Sequence, residues 1–432
     1  MSRLLIFAVP AVAILATLTR CALDPTVTVY PIFLTPSENR PFTNLVDMVE
    51  AKDYQAAISR RWTVLQKETP TSRELAALGH LEMASGATDL ARLHLTESLD
   101  SAASRDRVAS ISWDLSQTEF LAGRYDESRR WAENAVRNGL QVSRWHLDLL
   151  ESLSGIELQT MVEGGSGELP MITVDARIPR VMTAINHAAP VAAVFDSGAV
   201  FTIMSRSLAE TSEIEELGRS GRLLGLLNEP IMVEFGVIQN LEIGGLRVAD
   251  LLVAVMPDED LSFLVRGSRP YQMELLLGAN MLRHLRVDLD FTRHLVSLDV
   301  SRTSEPSSTQ NLFFVDFRPM IQVSINRRGW FLFLLDTGSE ITYLNQSTLE
   351  ATTARNREQL HGAMLQGLGG SRKRGAQLLG VELATSGWGG SFKAIPTYAS
   401  PGSPAFGIIG QNFLSQFRVI IDFGRMRLDL LQ

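Results

Sequence analysis

Apolar and polar positions change rhythm several times along the chain. Leu4 to Leu18 is an almost unbroken apolar run behind Arg3, slightly short for a bilayer span of about 20 residues. From residue 22 to 42 prolines recur at Pro25, Pro31, Pro36 and Pro41, the pattern of an extended tether. Residues 43 to 142 take a helical period, with alanines and other small residues at regular intervals. Three junctions there repeat one another: Lys52-Asp53-Tyr54-Gln55-Ala56-Ala57, Gly86-Ala87-Thr88-Asp89-Leu90-Ala91 and Gly123-Arg124-Tyr125-Asp126-Glu127-Ser128, separated by 34 and 37 residues. Leu78-Gly79, Leu115-Ser116 and Ala135 fall at positions where paired helices would touch. A helical domain is therefore expected over 43–160, with 162–169 (Val-Glu-Gly-Gly-Ser-Gly-Glu-Leu) as the linker that follows.

Beyond the linker the pattern is that of strands. Met171 to Val174, Val181 to Asn186 and Met320 to Ile325 lead towards two apolar runs that each end in an aspartate. Val191-Ala192-Ala193-Val194-Phe195 delivers Asp196-Ser197-Gly198, and Phe333-Leu334-Leu335 delivers Asp336-Thr337-Gly338. A second apolar patch follows each turn (Phe201, Ile203, Met204; Ile341, Tyr343, Leu344). One such turn is an ordinary turn signal, but this duplication goes further. Leu276-Leu277-Gly278-Ala279-Asn280 precedes Asp290 as Ile408-Ile409-Gly410-Gln411-Asn412 precedes Asp422, with 12 residues from glycine to aspartate in both copies. Glycine-centred turns at Gly225-Leu226 and Gly367-Leu368-Gly369-Gly370 lie between, 29 and 31 residues after the first aspartates. Residues 168–300 and 311–432 thus read as two homologous all-β lobes joined by 301–310. Short helices are expected at Ser207 to Glu210, Ser347 to Glu350, Leu282 to Leu285 and Leu414 to Phe417.

Apolar-Asp-Thr/Ser-Gly, a glycine-rich hairpin and apolar-apolar-Gly before a strand resemble the retropepsin-type aspartic protease, of bacterial type, with both halves fused in one chain. The resemblance covers the two lobes. It implies that Asp196 and Asp336 form the catalytic pair, and that Ser197 and Thr337 lock the two loops together, with Gly198 and Gly338 beside them. It further implies that the hairpins near Gly225, Leu226, Gly367, Leu368, Gly369 and Gly370 fold over substrate as flaps. The first of these lacks the glycine pair of Gly369-Gly370. The repeat period near 34 in the helical stretch resembles tetratricopeptide repeats, whose usual role is to hold a peptide or partner protein. The alternative for this stretch is a generic helical bundle.

Composition narrows the partners. A net charge of −8 argues against nucleic acid, and 45% apolar with 20% charged residues in 432 allows substantial cores. Cys21 is the only cysteine, so no intramolecular disulfide can form. Leu18-Thr19-Arg20-Cys21 resembles a lipoprotein cleavage box, making Cys21 a lipidation candidate, although Arg20 stands where a small residue belongs. Residues 1–21 are read as a signal peptide or membrane anchor, which places the protein in the bacterial periplasm or cell envelope. The seven histidines lack metal-ligand spacing, no nucleotide loop or serine elbow occurs, and no cofactor or metal is expected. Arg372-Lys373-Arg374 reads as a solvated hairpin tip, with an acidic substrate or the acidic run at Asp258 as its other possible partner. Asp290 and Asp422 read as structural.

The expected architecture is a helical-repeat solenoid followed by a bilobed all-β aspartic protease fold with pseudo-twofold symmetry. The expected activity is endopeptidase hydrolysis of exported or envelope proteins through a water activated by Asp196 and Asp336. The alternative is a catalytically silent lobe pair that presents peptides together with the repeats.

Overall fold

Capping chemistry sets where the helices begin. Among the described residues the helices before the sheets are α1 (Leu45–Glu50), α2 (Tyr54–Arg60), α3 (Trp62–Leu65), α4 (Ser72–Ala84), α5 (Thr88–Asp100), α6 (Arg105–Leu121), α7 (Tyr125–Arg137) and α8 (Arg144–Ser152). Asn44 caps α1, Asp53 caps α2, Ser104 caps α6, and Thr71 forms a reciprocal capping box with Glu74 at α4. Pairs α4/α5 and α6/α7 pack as hairpins, and small residues let them approach. A Cβ on Gly79 would sit 2.6 Å from Leu95 Cγ. At the equivalent place in the next pair, Ser128 Oγ donates to the Ser116 carbonyl at 2.8 Å.

The computed structural model describes residues 17–19, 27–32, 42–172, 178–224, 230–265, 269–302, 305–346, 357–366, 368, 372–398, 403 and 405–432. Each lobe is built on a sheet of ten strands among these residues, and the two share one internal plan. The strand that ends at the aspartate, Val191–Phe195 or Trp330–Leu335, pairs antiparallel with the one before it and parallel with a short late strand, Leu275–Leu277 or Gly407–Ile409. That late strand pairs antiparallel with the one that follows the aspartate turn, Thr202–Ser205 or Tyr343–Asn345. A further strand, Leu251–Met256 or Trp388–Tyr398, runs parallel beside it. A third sheet of five strands joins the lobes, with Leu285–Asp290 antiparallel to Arg418–Asp422. Arg418 clamps Asp288 across this seam with two hydrogen bonds of 2.8 and 2.7 Å. Asp290 and Asp422 cap turns there, accepting from the backbone N–H of Arg293 (2.8 Å) and Arg425 (3.0 Å).

The helices do not stand apart from the lobes. Leu45, Tyr54, Leu78 and Leu81 share one buried apolar cluster with Phe313, Met320, Leu332, Leu334 and Tyr343 of lobe 2. Trp113, Phe120, Ala132 and Leu149 share another with Val194, Phe201 and Phe235 of lobe 1. Phe333 and Leu335, on the other face of the same strand as Leu332 and Leu334, pack into the main core of the lobes. This is why the strand is apolar at every position: it is buried on both faces.

Three expectations need correction. Residues 162–169 are not a free linker, because Met161–Gly164 pairs with Leu246–Ala249 of lobe 1 and Gly167–Pro170 extends the interlobe sheet beside Leu295–Val300. Their glycines permit the approach: a Cβ on Gly167 would lie 1.4 Å from the Gly244 carbonyl oxygen. Residues 22–42 are not wholly a tether, since Val27–Pro31 docks as a strand against Trp388–Phe392, where Gly389 and Gly390 leave room for Tyr30 and Val27. The helices at the ends of the lobes start earlier than expected, at Ala279–Leu282 and Gln411–Leu414, because Gly278 and Gly410 start them directly. Arg206–Thr211 is helical from Ser205, whose Oγ accepts from Leu208 N–H. The expected helix at 347–350 lies outside the described residues. Thr17–Thr19, inside the segment read as an export signal, pairs with Met364–Gln366. No described helix is long and apolar enough to cross a membrane.

Candidate active site

Asp196 and Asp336 each step off the end of a buried strand, and each backbone N–H is held by the neighbouring parallel strand, donating to Leu277 O (3.0 Å) and Ile409 O (3.1 Å). The chain then turns so that its own amides face the carboxyl group. Asp196 Oδ1 accepts from the N–H of Gly198 (2.8 Å) and Ala199 (3.1 Å), and Asp336 Oδ1 from Gly338 N–H (3.0 Å). The two Oδ2 atoms are buried and no protein donor reaches either. The two carboxyls are close enough that the Asp196 charge acts on Asp336. Both residues are 0% exposed.

Glycine is required beside each aspartate by this closeness. A Cβ on Gly198 would lie 2.7 Å from Asp336 Cγ, and one on Gly338 would lie 2.4 Å from Asp196 Cγ. Each lobe's glycine leaves the space that the other lobe's carboxyl fills. The neighbouring hydroxyls bind the turns reciprocally. Ser197 N–H donates to Thr337 Oγ1 (3.0 Å) while Thr337 N–H donates to Ser197 Oγ (3.1 Å). Thr337 Oγ1 donates to Phe195 O (2.7 Å) and Ser197 Oγ to Leu335 O (2.6 Å). Four buried polar groups are thereby satisfied across the pseudo-twofold axis, and the spacing of the carboxyls is fixed by them.

Electrostatics follow from that burial. Loss of solvent raises the Asp196 carboxyl, opposed mainly by its turn amide from Gly198. Burial raises Asp336 as well, and the Asp196 charge adds to the effect. Two interacting acids of this kind titrate as a pair rather than singly.

Several supporting residues carried no role in the sequence reading. Six residues after each aspartate stand Thr202 and Thr342. Their hydroxyls accept from the N–H of Gly278 (3.2 Å) and Gly410 (3.0 Å), and their own N–H groups donate to Asn280 Oδ1 (2.7 Å) and Asn412 Oδ1 (2.8 Å). The equal spacing was the available signal. Gln411 Nε2 donates to Thr337 O at 2.7 Å. Arg318, 1% exposed, brings a buried positive charge into the surroundings of Asp316, Tyr343 and Asp336. Its only sequence signal was a cation inside the apolar run before Asp336. Of the flap residues, Gly225, Leu226, Gly367, Gly369 and Gly370 lie outside the described residues, as does Cys21. The strands flanking the turns do pair as hairpins, Glu215–Leu224 with Pro230–Ile238 and Arg357–Gln366 with Arg372–Thr385. Leu368 is fully buried, in the apolar cluster that includes Val200.

Residues 181–284 match the model of the gag-polyprotein putative aspartyl protease family, and residues 315–422 match that of the retroviral aspartyl protease family. The two lobes are those of a retropepsin-like aspartic protease. The matches fall one on each lobe, each containing one aspartate turn and ending in the interlobe region, and they make the chain an aspartic-type endopeptidase. No curated protein matches the chain. For a retropepsin-like enzyme the substrate is a peptide or protein.

Proposed function

We propose that Asp196 and Asp336 are the catalytic pair and that the enzyme cleaves exported or envelope proteins of a bacterial cell. The observation that carries the first part is the reciprocal packing of each carboxyl against the other lobe's glycine, with both Oδ2 atoms buried and reached by no protein donor. In the mechanism the ionised carboxyl takes a proton from a water as that water attacks the peptide carbonyl. The protonated carboxyl donates to the carbonyl oxygen as negative charge develops on it. Proton return to the leaving nitrogen breaks the C–N bond and restores the singly protonated pair. Burial raises the pair into the range where one member stays protonated, the arrangement for which aspartic proteases are known. Both carboxyls are fully buried, so substrate entry requires the structure around them to open, and an extended peptide would pair with the edges of the hairpins.

The export reading is supported by the apolar run from Leu4 to Leu18 behind Arg3, with Cys21 as the candidate anchor. The repeat reading is supported by the matching small-residue contacts of α4/α5 and α6/α7. A groove of about 510 Å³ between α1, α4, α6 and the turn at Asp316, floored by Val46, Ala77, Ile111 and Trp113, offers a partner or substrate segment an apolar seat. Incubating the purified enzyme with a peptide library, with and without pepstatin, tests the activity. Cleavage that pepstatin blocks supports the proposal, and cleavage indifferent to pepstatin contradicts it.

A further inference from the structure

The three helical junctions correspond in sequence, and the residue just before each second helix is different in each. Asp53 caps α2, its Oδ1 accepting from Ala56 N–H at 3.4 Å. Ala87 and Arg124 hold that place before α5 and α7, and neither gives a side-chain cap. Gly86 and Gly123, with φ of +73° and +75°, turn the chain into both helices alike. Two 13-residue helices therefore begin with free backbone N–H groups and the positive end of the helix dipole exposed.

Both ends open on one polar cavity of about 250 Å³ between the helical layer and the lobes, lined by Thr88, Arg124, Tyr125, Asn280, Arg283 and His284 among others. Tyr125 is 7% exposed, and its hydroxyl makes no hydrogen bond among the described residues. Arg124 pairs through Nε with Glu119, while its Nη2 is buried without a partner. Arg283 has no carboxylate partner among the described residues. Its guanidinium donates to two neutral acceptors, the Leu121 carbonyl and His284 Nε2, the latter at 3.3 Å. Burial and the Arg283 charge push His284 down to about 3, so the ring stays neutral. The one acidic side chain on the lining, Asp89, is largely exposed and faces Arg92 at 3.4 Å.

We infer that this cavity binds a small tetrahedral oxyanion, inorganic phosphate or the phosphate of a small phosphomonoester. Two helix N-termini, two guanidinium groups and a phenol converge from the helical layer and from lobe 1, and four oxygens around one centre answer donors from several directions better than the two coplanar oxygens of a carboxylate. The bound anion would bridge α5 and α7 to the segment carrying Asn280, which holds Thr202 behind the Asp196 turn. The site thus links ligand occupancy to the relative placement of the helical layer and the catalytic lobe.

Titration calorimetry of the full-length enzyme with inorganic phosphate, against sodium chloride at matched ionic strength, tests the site. Saturable millimolar or tighter binding is expected, weakened by about tenfold or more in Arg283→Gln and in Ala87→Asp. Ala87→Asp supplies α5 with the cap that Asp53 gives α2 and sets a negative charge at the cavity, so it weakens binding while favouring the fold. If Arg283→Gln does not fold, Ala87→Asp decides alone. Absence of binding by the wild type at millimolar phosphate, or unchanged binding in the folded variants, overturns the inference.

Discussion

Replacing Thr337 with valine keeps the shape of the side chain and removes only the hydroxyl. That hydroxyl donates to Phe195 O at 2.7 Å and accepts from Ser197 N–H at 3.0 Å, both inside the seam between the lobes. Valine leaves one carbonyl and one amide buried and unpaired, since Phe195 and Ser197 are 1% and 0% exposed. Each orphaned group costs about 1–3 kcal/mol, so the variant should lose about 2–6 kcal/mol. Against a total stability of about 5–15 kcal/mol, that loss is easily measured. Thr337→Ser retains the hydroxyl and gives up one methyl, a cost of about 1 kcal/mol. Ser197→Ala orphans Leu335 O and Thr337 N–H and should resemble Thr337→Val, because the contact is reciprocal. Urea unfolding followed by tryptophan fluorescence, with hydrolytic rates measured in parallel, separates these outcomes. A Thr337→Val protein no less stable than Thr337→Ser would refute the claim that the hydroxyls hold the lobes in register.

Three other expectations follow from the site and its supports. Gly338→Ala places a methyl where Asp196 Cγ already lies 2.4 Å away, so the carboxyls must separate and turnover of a cleaved peptide should fall about 100-fold or more; near-normal kcat would contradict the close approach. Asp336 is raised by burial and then by the Asp196 charge, so its contribution to stability is fully present below the ordinary 3.8 and is lost as pH rises through the folded-state value. Asp336→Asn should therefore be more stable than the wild type at neutral pH, with a gap that widens as pH rises above the ordinary 3.8 in denaturant titrations; a gap that shrinks with rising pH would reverse the sign. Removing the helical layer uncovers Phe313, Met320, Leu332 and Leu334, so a fragment of residues 168–432 should aggregate, and a soluble fragment with full activity would show that the helices are dispensable.

The aspartate turns were legible because their chemistry is local: an apolar strand, an acid, a hydroxyl and a glycine leave a signature within a few residues, and duplication exposed it twice. The helix starts at Asp53 and at Ser205 were readable for the same reason, since a cap needs only three neighbours. What escaped depended on distant partners. The alternation Leu332/Leu334 against Phe333/Leu335 is invisible in a uniformly apolar run, so nothing in the sequence announced that helices cover one face of the catalytic strand. Val27–Pro31 looked like a tether because its prolines are local, whereas its partner, Trp388–Phe392, lies at the far end of the chain. The glycines at 164 to 167 signalled a linker, yet they serve close backbone contact within sheets. Thr202 with Asn280, and Thr342 with Asn412, needed the fold to bring them together, although the equal distance of the two threonines from the aspartates was on view.

The most direct test of the paired carboxyls is steady-state hydrolysis of one cleaved peptide by Asp196→Asn and Asp336→Asn, each made alone and each checked for a cooperative unfolding transition. Both variants should fold and both should lose at least about 100-fold in kcat, because neither carboxyl can serve as both acid and base. A folded single variant that turns over at the wild-type rate would contradict a mechanism shared between the two lobes.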